Sequence, residues 1–223
     1  MTPRGYFIAG TDTGVGKTLA TCVLLARARA DGHRAVGMKP VAAGCAMTPE
    51  GPRNEDALAL MRYAGVAADY ATVNPIALPD PLSPHLAAAR AGVAIDLAPV
   101  LAAHRRLASM ADMVLVEGAG GWLAPLSDTL AMNDLARRLG LPVLLVVGLR
   151  LGCLNHAQLT ARAIAADGLR LAGWIGSRID PDMACVAENI ETLRRRLPAP
   201  CLGVLPWAPG APPERLAANL RTG

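Results

Sequence analysis

Lysine is nearly missing from this chain. Of its 22 basic residues only Lys17 and Lys39 are lysines, and the other twenty are arginines. Where a surface merely needs positive charge, arginine supplies it here. The two ammonium groups are therefore expected where a guanidinium cannot substitute, because a compact point charge with rotatable donors differs from a planar fork. Aromatic residues are scarce too, at 3%, with Phe7 the single phenylalanine. That excludes a surface that stacks a run of bases on Tyr, Phe or Trp, so no nucleic-acid partner is expected. The five cysteines (Cys22, Cys45, Cys153, Cys185, Cys201) include no Cys-x-x-Cys pair, which leaves zinc and redox motifs unsupported. Scattered free thiols suit a reducing compartment. No apolar run approaches the ~20 residues of a membrane helix. The longest, Leu141 to Leu149, is interrupted by Pro142 and Gly148, and the first ten residues lack the basic-then-apolar pattern of a secretory leader. A cytoplasmic protein without a membrane partner is expected. The net charge of +4 decides nothing between small anions and nucleic acid.

What is present is an apolar chain, 52% of 223 residues, with 18% charged. Residues 1–223 read as one α/β domain with ample core. Tyr6–Ala9, Ala35–Met38, Met113–Val116, Pro142–Val147, part of Leu171–Ile179 and Cys201–Leu205 are apolar runs that stop at Gly, Pro or a polar residue. They alternate with helical stretches at 19–30, 55–63, from 84 onward, 96–110, 133–139, 155–167, 182–197 and 213–220. Asn54 and Asp96 stand as caps, Ser83-Pro84 as a start, and Gly65 as a closing residue. Residues 41–53 read as a loop and 66–82, with Pro75, Pro79 and Pro81, as irregular structure. Strands that are apolar throughout and alternate with helices predict a mostly parallel sheet covered by helices on both faces.

Between the first strand and the first helix lies Gly10-Thr-Asp-Thr-Gly-Val-Gly-Lys-Thr18. Strand, glycine-rich loop, Gly-Lys-Thr and helix is the context of a phosphate-binding P-loop. Backbone N–H groups and the helix N-terminus face an anion, Lys17 reaches the β- and γ-phosphates, and the Thr18 hydroxyl ligates Mg²⁺. The strict pattern G-x-x-x-x-G-K-[ST] fails because position 11 is Thr, so the loop is one residue longer from Gly10 to Gly16. Glu117, at the end of the Met113–Val116 run, sits where P-loop proteins place a carboxylate on Mg²⁺ or its water. It is Glu rather than the usual Asp, one of six glutamates, and Gly118 to Gly121 behind it would let backbone approach a ligand. Asp56, in the first turn of a helix, is an acid that the helix dipole favours in any case.

These residues resemble a known family, the dethiobiotin synthetases. The P-loop, Gly37-Met-Lys-Pro-Val-Ala-Ala-Gly44, Val116-Glu-Gly-Ala-Gly-Gly-Trp122 and Leu151-Gly-Cys-Leu-Asn-His156 form four blocks in the family's order. Asn74-Pro75 and Ser83-Pro-His85 also fit, and the similarity runs from about residue 5 to 208. The resemblance implies an ATP- and Mg²⁺-dependent ligase that joins CO₂ to 7,8-diaminopelargonate and closes the ureido ring of dethiobiotin. It implies Lys39, Lys17 and Thr13 as catalytic residues and Thr18, Asp56 and Glu117 as metal ligands. Nucleotide contacts would come from Gly14, Val15, Gly16, Lys17, Thr18, Leu19, Asp56, Glu117, Gly118, Ala119, Gly120, Ser177, Pro206, Trp207 and Ala208. Substrate contacts would come from Thr13, Lys39, Ala43 and, toward its distant carboxylate, from Gly152, Cys153, Leu154 and Asn155 at a helix start. The resemblance also implies a homodimer with substrate near the interface. Two anions, carbamate and γ-phosphate, must meet in such a reaction, and two lysines are what the chain has to offset them.

Two departures from the family pattern carry consequences. Ala43 replaces a frequent hydroxyl residue, leaving backbone N–H of Ala43 or Gly44 for the substrate. Ser177-Arg178 stands where the family has an Asn that reads the adenine edge, and a hydroxyl cannot make that bidentate contact. Weaker adenine selectivity is the expectation. A rival reading, a nucleotide switch of the partition-ATPase kind, calls for a second lysine at the loop start, and Gly10-Thr11-Asp12 has none. A glutamine-dependent amidation enzyme would need a further domain for which the chain has no room.

Overall fold

In the computed structural model, which describes residues 4–220, the chain runs through alternating strands and helices. Strand β1 (Arg4–Gly10) leads through the glycine-rich loop into α1 (Lys17–Ala30), and β2 (Ala35–Met38) follows. A middle stretch holds β3 (Val41–Ala43), β4 (Ala46–Thr48), β5 (Gly51–Arg53), α2 (Glu55–Tyr63), α3 (Tyr70–Val73), β6 (Ile76–Leu78) and α4 (Pro84–Ala91). Then come α5 (Leu97–Met110), β7 (Met113–Glu117), α6 (Met132–Leu139), β8 (Val143–Leu149), α7 (Cys153–Ala166), β9 (Leu171–Arg178), α8 (Val186–Arg196), β10 (Cys201–Leu205) and α9 (Pro213–Leu216).

Six strands pair in parallel in the order β10-β9-β8-β1-β7-β2. Alternation along β1 sends Ile8 to one face and Phe7 and Ala9 to the other. Helices α1, α2 and α9 cover the first face, and α4 to α8 cover the second. This is why the strands are apolar along their interiors, with Arg4, Glu117, Ser177 and Arg178 only at their ends: neither face meets water. With one phenylalanine available, Phe7 sits at the centre, edge-on to Trp122 at 6.0 Å between ring centres. It packs so close beneath Gly118 that a Cβ there would lie 3.0 Å from its ring.

The topology positions the site. Chain leaving β1 goes out past β7 to β2, while chain leaving β7 crosses to β8 on the other side of β1. The carboxyl ends of β1 and β7 thus lie at a switch point, where open α/β sheets bind their ligands. Ile8 is in register with Glu117, and the Gly118 N–H donates to the Ile8 carbonyl at 3.1 Å. The glycine-rich loop and the acidic strand end are neighbours for that reason.

The middle stretch departs from expectation. Residues 41–53, expected as a loop, contain β3, which pairs in parallel with β6, and the β4–β5 hairpin. Three-residue strands are too short to show a period, and the β3–β6 pairing joins segments far apart in sequence. Pro52 lies in β5, which pairs on one side only, where a missing N–H costs no ladder bond. Residues 66–82 are likewise not irregular throughout, since α3 is capped by Asp69 and β6 follows. Helix α2 ends on extended Ala64 rather than on a left-handed Gly65. Gly65 instead donates to the Ala35 carbonyl at 2.7 Å and leaves no room for a side chain against His33. Helix α7 begins at Cys153, before the expected Asn155, and α8 only at Val186, behind a left-handed Cys185. The stretch 213–220 breaks into α9 and a 3₁₀ turn at Ala217–Asn219.

Candidate active site

Gly16 has φ +87°, a left-handed turn that swings the chain from the loop into α1 without a side-chain cap. The first N–H groups of α1 therefore stay available to an anion. The Lys17 ammonium arches back over the loop and donates to two carbonyls, Asp12 at 2.8 Å and Gly120 at 2.7 Å. Burial pushes its pKa down to about 8, and the neighbouring Lys39 pushes in the same direction. Asp12 ties the loop to the end of β8, the strand beside β1. One carboxylate oxygen accepts from the Thr13 N–H at 2.8 Å and the other from Arg150 at 2.6 Å.

Lys39 follows directly on β2, and its main chain is held from both sides. Its N–H donates to the Val73 carbonyl at 2.8 Å, and its carbonyl accepts from the Asn74 amide at 2.6 Å. Asn74 is itself fixed by the Tyr70 hydroxyl at 2.8 Å, which accepts from the Asn54 N–H at 2.7 Å. Asn54 caps α2 and so presents Asp56 in the first turn. The side chain of Lys39 ends between two carboxylates, Asp56 at 2.7 Å and Glu117 at 2.6 Å. Burial alone would push this ammonium down, but the two carboxylates outweigh it and hold its pKa above the usual lysine value. Asp56 is likewise resisted by burial but held below the usual carboxylate range by Lys39.

Glu117 is wholly buried. Its Oε1 accepts from Lys39 and from the Thr18 hydroxyl at 2.8 Å, while its Oε2 has no partner. A buried carboxylate oxygen left unpaired is costly unless a cation or its water completes it. Two carboxylates and a hydroxyl, with the buried Oε2 of Glu117 free, are the hard oxygen donors that Mg²⁺ takes. The set Thr18, Asp56 and Glu117 fits that ion.

These groups open into a cavity of about 850 Å³. Thr13, Gly14, Gly16, Lys17, Thr18, Lys39, Ala43, Asp56, Glu117, Ala119 and Gly120 line it. The sequence thus anticipated one side of the cavity. Val15 and Leu19 belong to the core and offer only backbone, and Gly118 is buried over Phe7. The opposite wall is Pro81 to Pro84 with Leu86, of which Ser83 and Pro84 belong to a family-like block but were given no role in the site. Its signal was the density of prolines in a long stretch between helices. The Asn54–Tyr70–Asn74 network carries no sequence signal beyond Asn74-Pro75, which resembles the family. The Gly44 N–H is not free for a substrate, because it donates to the Asp80 carbonyl at 2.9 Å.

Two groups of anticipated residues lie outside this cavity. Gly152 to Asn155 form the turn into α7, with Gly152 and Asn155 exposed, Leu154 half-buried and Cys153 buried. Beside them Leu151 is 93% exposed. Ser177 is buried at the end of β9, on the other side of the P-loop. A Cβ on Gly16 would lie 2.5 Å from its hydroxyl, so the serine fills the space against the loop backbone. Past β10, Pro206 and Ala208 are half-buried and Trp207 is 49% exposed.

Comparison with known proteins adds to this geometry. The family described as "AAA domain" matches residues 4–215. The chain is 57% identical over 221 residues, 99% of each chain, to a protein of Xanthomonas euvesicatoria pv. vesicatoria named ATP-dependent dethiobiotin synthetase. It is 56% identical, again over 99% of each chain, to one of the same name from Xanthomonas oryzae pv. oryzae. Among solved structures, the MinC:MinD cell division complex of Aquifex aeolicus is similar, with a TM-score of 0.59 at 16% identity over 95% of this chain and 85% of that one. At that identity the likeness is one of fold alone.

Proposed function

The chain belongs to the ATP-dependent dethiobiotin synthetase family, and from that membership we propose that it is the C–N ligase that builds the ureido ring of dethiobiotin from 7,8-diaminopelargonate, CO₂ and ATP. One observation of the geometry carries the reading. The chain's only two lysines meet two carboxylates and a hydroxyl in one cavity at the mouth of the P-loop. Thr18, Asp56 and Glu117 would hold Mg²⁺. When bound, the ion would neutralise negative charge on the phosphate oxygens.

The residues divide the work as follows. One substrate amine attacks the carbon of CO₂ and loses a proton, giving a carbamate. A carbamate oxygen attacks the γ-phosphorus and ADP leaves. The second amine attacks the carbonyl carbon of the mixed anhydride, closes the ring and expels phosphate. Lys17 and the N–H groups of Gly14 to Thr18 bind the phosphates, exchanging two backbone carbonyls for anionic oxygens. Lys39 offsets the repulsion between carbamate and γ-phosphate, and Thr13, exposed above Gly120, holds the carbamate end. Donors aimed at charge that develops during reaction are the largest single source of such rate enhancement. The turn into α7 takes the distant carboxylate on the backbone N–H groups it leaves free, since those of Cys153 and Asn155 already donate to the Arg150 and Gly152 carbonyls. The base lies beside Ser177 and Pro206 to Ala208.

The reading treats the chain as one P-loop unit that works as a homodimer in the cytoplasm. Leu151 and Leu159, exposed on either side of Asn155, support an interface there. All five thiols are free, and no described helix is long and apolar enough to cross a membrane. The test is one incubation with diamine, bicarbonate, Mg²⁺ and ATP, following ADP and product mass. Diamine-dependent ADP release with a product of dethiobiotin mass is expected. ATP hydrolysis that ignores the diamine and yields no product would point to a nucleotide switch instead. Light scattering at micromolar protein reads the dimer.

A further inference from the structure

The three side chains that fit a divalent cation already have a cation among them. Lys39 donates to Asp56 Oδ2 and to Glu117 Oε1, and that same Oε1 accepts from Thr18. We propose that Lys39 is the resident cation of this donor set in the metal-free protein, and that a divalent ion enters by exchange, releasing the ammonium into the cavity. Lysine 39 then becomes available to a carbamate or phosphate only after the ion is seated. This rests on the metal-binding reading above and adds an order to it.

Four observations support the exchange. First, the carboxylates are the same. Lys39 holds one oxygen of each, Asp56 Oδ2 and Glu117 Oε1, and a +2 ion seated on the two carboxylates would stand so close to the ammonium that the two cations repel strongly. Second, Lys39 cannot simply leave. Glu117 is fully buried, and withdrawing its counter-charge without replacement would strand a carboxylate out of water. Third, an entry point exists. Glu117 Oε2 is buried and unpartnered, so an incoming ion finds a buried oxygen free while Oε1 is still held. Fourth, the motion needed is confined to a side chain. The Lys39 main chain is clamped by Val73 and Asn74, while its stem borders the cavity beside Ala42 and Ala43, where small side chains leave room.

Lys17 has a different surrounding. Its partners are the neutral carbonyls of Asp12 and Gly120, which an arriving phosphate displaces without leaving a buried charge behind. The two lysines are thus released by different events, one by the nucleotide's phosphates and the other by the metal ion.

The chain's two lysines make the test readable at single-residue level. The full-length protein, without nucleotide, is acetylated with a limiting reagent, and each lysine is quantified by peptide mass with and without Mn²⁺. Mn²⁺ affinity is read separately by electron paramagnetic resonance for the wild type, Lys39→Met, Glu117→Gln and Asp56→Asn. Exchange requires that saturating Mn²⁺ speed acetylation of Lys39 at least about tenfold relative to Lys17, and that Lys39→Met bind Mn²⁺ at least about tenfold more tightly than the wild type. Should Lys39→Met fail to fold, the wild-type acetylation decides alone. Mn²⁺ binding that weakens in Glu117→Gln and Asp56→Asn, with Lys39 acetylation indifferent to the ion, overturns the exchange and leaves the metal reading standing. Mn²⁺ affinity indifferent to both carboxylate substitutions overturns the two together.

Discussion

Two regions at the carboxyl edge of the sheet are built in opposite ways. Beyond β1 and β7, the buried Lys39 and Glu117 bond to each other and to the Thr18 hydroxyl at 2.6–2.8 Å. Beyond β8, β9 and β10, the positions assigned to recognition offer backbone and exposed surface: the turn at Gly152, the buried Ser177 hydroxyl, and half-exposed Trp207. The first region is organised before any ligand arrives, as chemistry requires, since donors already in place cost no reorganisation during reaction. The second has little side-chain chemistry of its own, so what it binds must be held by main-chain donors, stacking or a second copy. Substitutions should therefore strike turnover in the first region and affinity in the second.

The largest effect is expected at Lys39. Lys39→Arg keeps the charge, but a planar fork cannot lie between Asp56 and Glu117 and then reorient as a point charge does. Turnover should fall by at least ~10²-fold, the scale of losing one oriented donor, with little change in the KM for ATP. A near-normal kcat would erase the distinction between the regions. Glu117→Gln comes next. It removes the charge that Lys39 and the metal ion would share, and the Mg²⁺ concentration for half-maximal turnover should rise at least about tenfold. An unchanged Mg²⁺ titration would take Glu117 out of the metal set.

Lys17 gives a pH signature. Its pKa in the free protein is about 8 because of burial, well under the ordinary 10.5. Bound phosphates favour the ammonium, so nucleotide binding takes up a proton above pH 8. ATP affinity should fall by up to about tenfold per pH unit between 8 and 9.5, measured by equilibrium binding without diamine. Stability of the ligand-free protein responds with the opposite sign. Between about pH 8 and 10.5 the unfolded chain holds more protons at this residue than the folded one, so its contribution rises with pH, and the burial penalty is fully present below pH 8. Affinity flat to pH 9.5 would show that Lys17 does not meet the phosphates as an ammonium.

The two regions also differ in how far the sequence revealed them. The strands of the large sheet were legible because double burial makes them apolar throughout. Lys17, Thr18 and Glu117 were legible because their spacing is local: a loop with fixed glycines and an acid at a strand end. The Lys39–Asp56–Glu117 cluster has no such spacing, since the three arrive from β2, α2 and β7 and meet only through the sheet order. The rarity of lysine singled out Lys39, but not its ion pairs. The wall at Pro81 to Leu86 and the β3–β6 pairing stayed hidden because three-residue strands and proline-rich turns carry no periodicity. The spent N–H of Gly44 was invisible for a related reason: its partner Asp80 is reached only by a chain reversal that the sequence does not announce.

The smallest expected effect lies at the base. The resemblance implies that Ser177 stands in for an adenine-reading amide, and its side chain is buried and packs toward the Gly16 backbone. A single hydroxyl packed against the loop gives no bidentate contact to a base edge. What remains nearby is Trp207, half-exposed past the end of β10, and stacking tolerates every base because every base has a π-face. ATP, GTP and CTP should therefore differ as phosphate donors by less than about tenfold in kcat/KM, while Trp207→Ala should weaken all of them by a similar factor of about five to ten. The pairing of the two measurements matters more than either alone. A strong preference for ATP that survives Trp207→Ala would mean that main-chain donors read the adenine edge without Ser177. A preference that disappears with the indole would make Trp207 the reader. Equal donors, all weakened together, are what a region built on stacking and backbone should give.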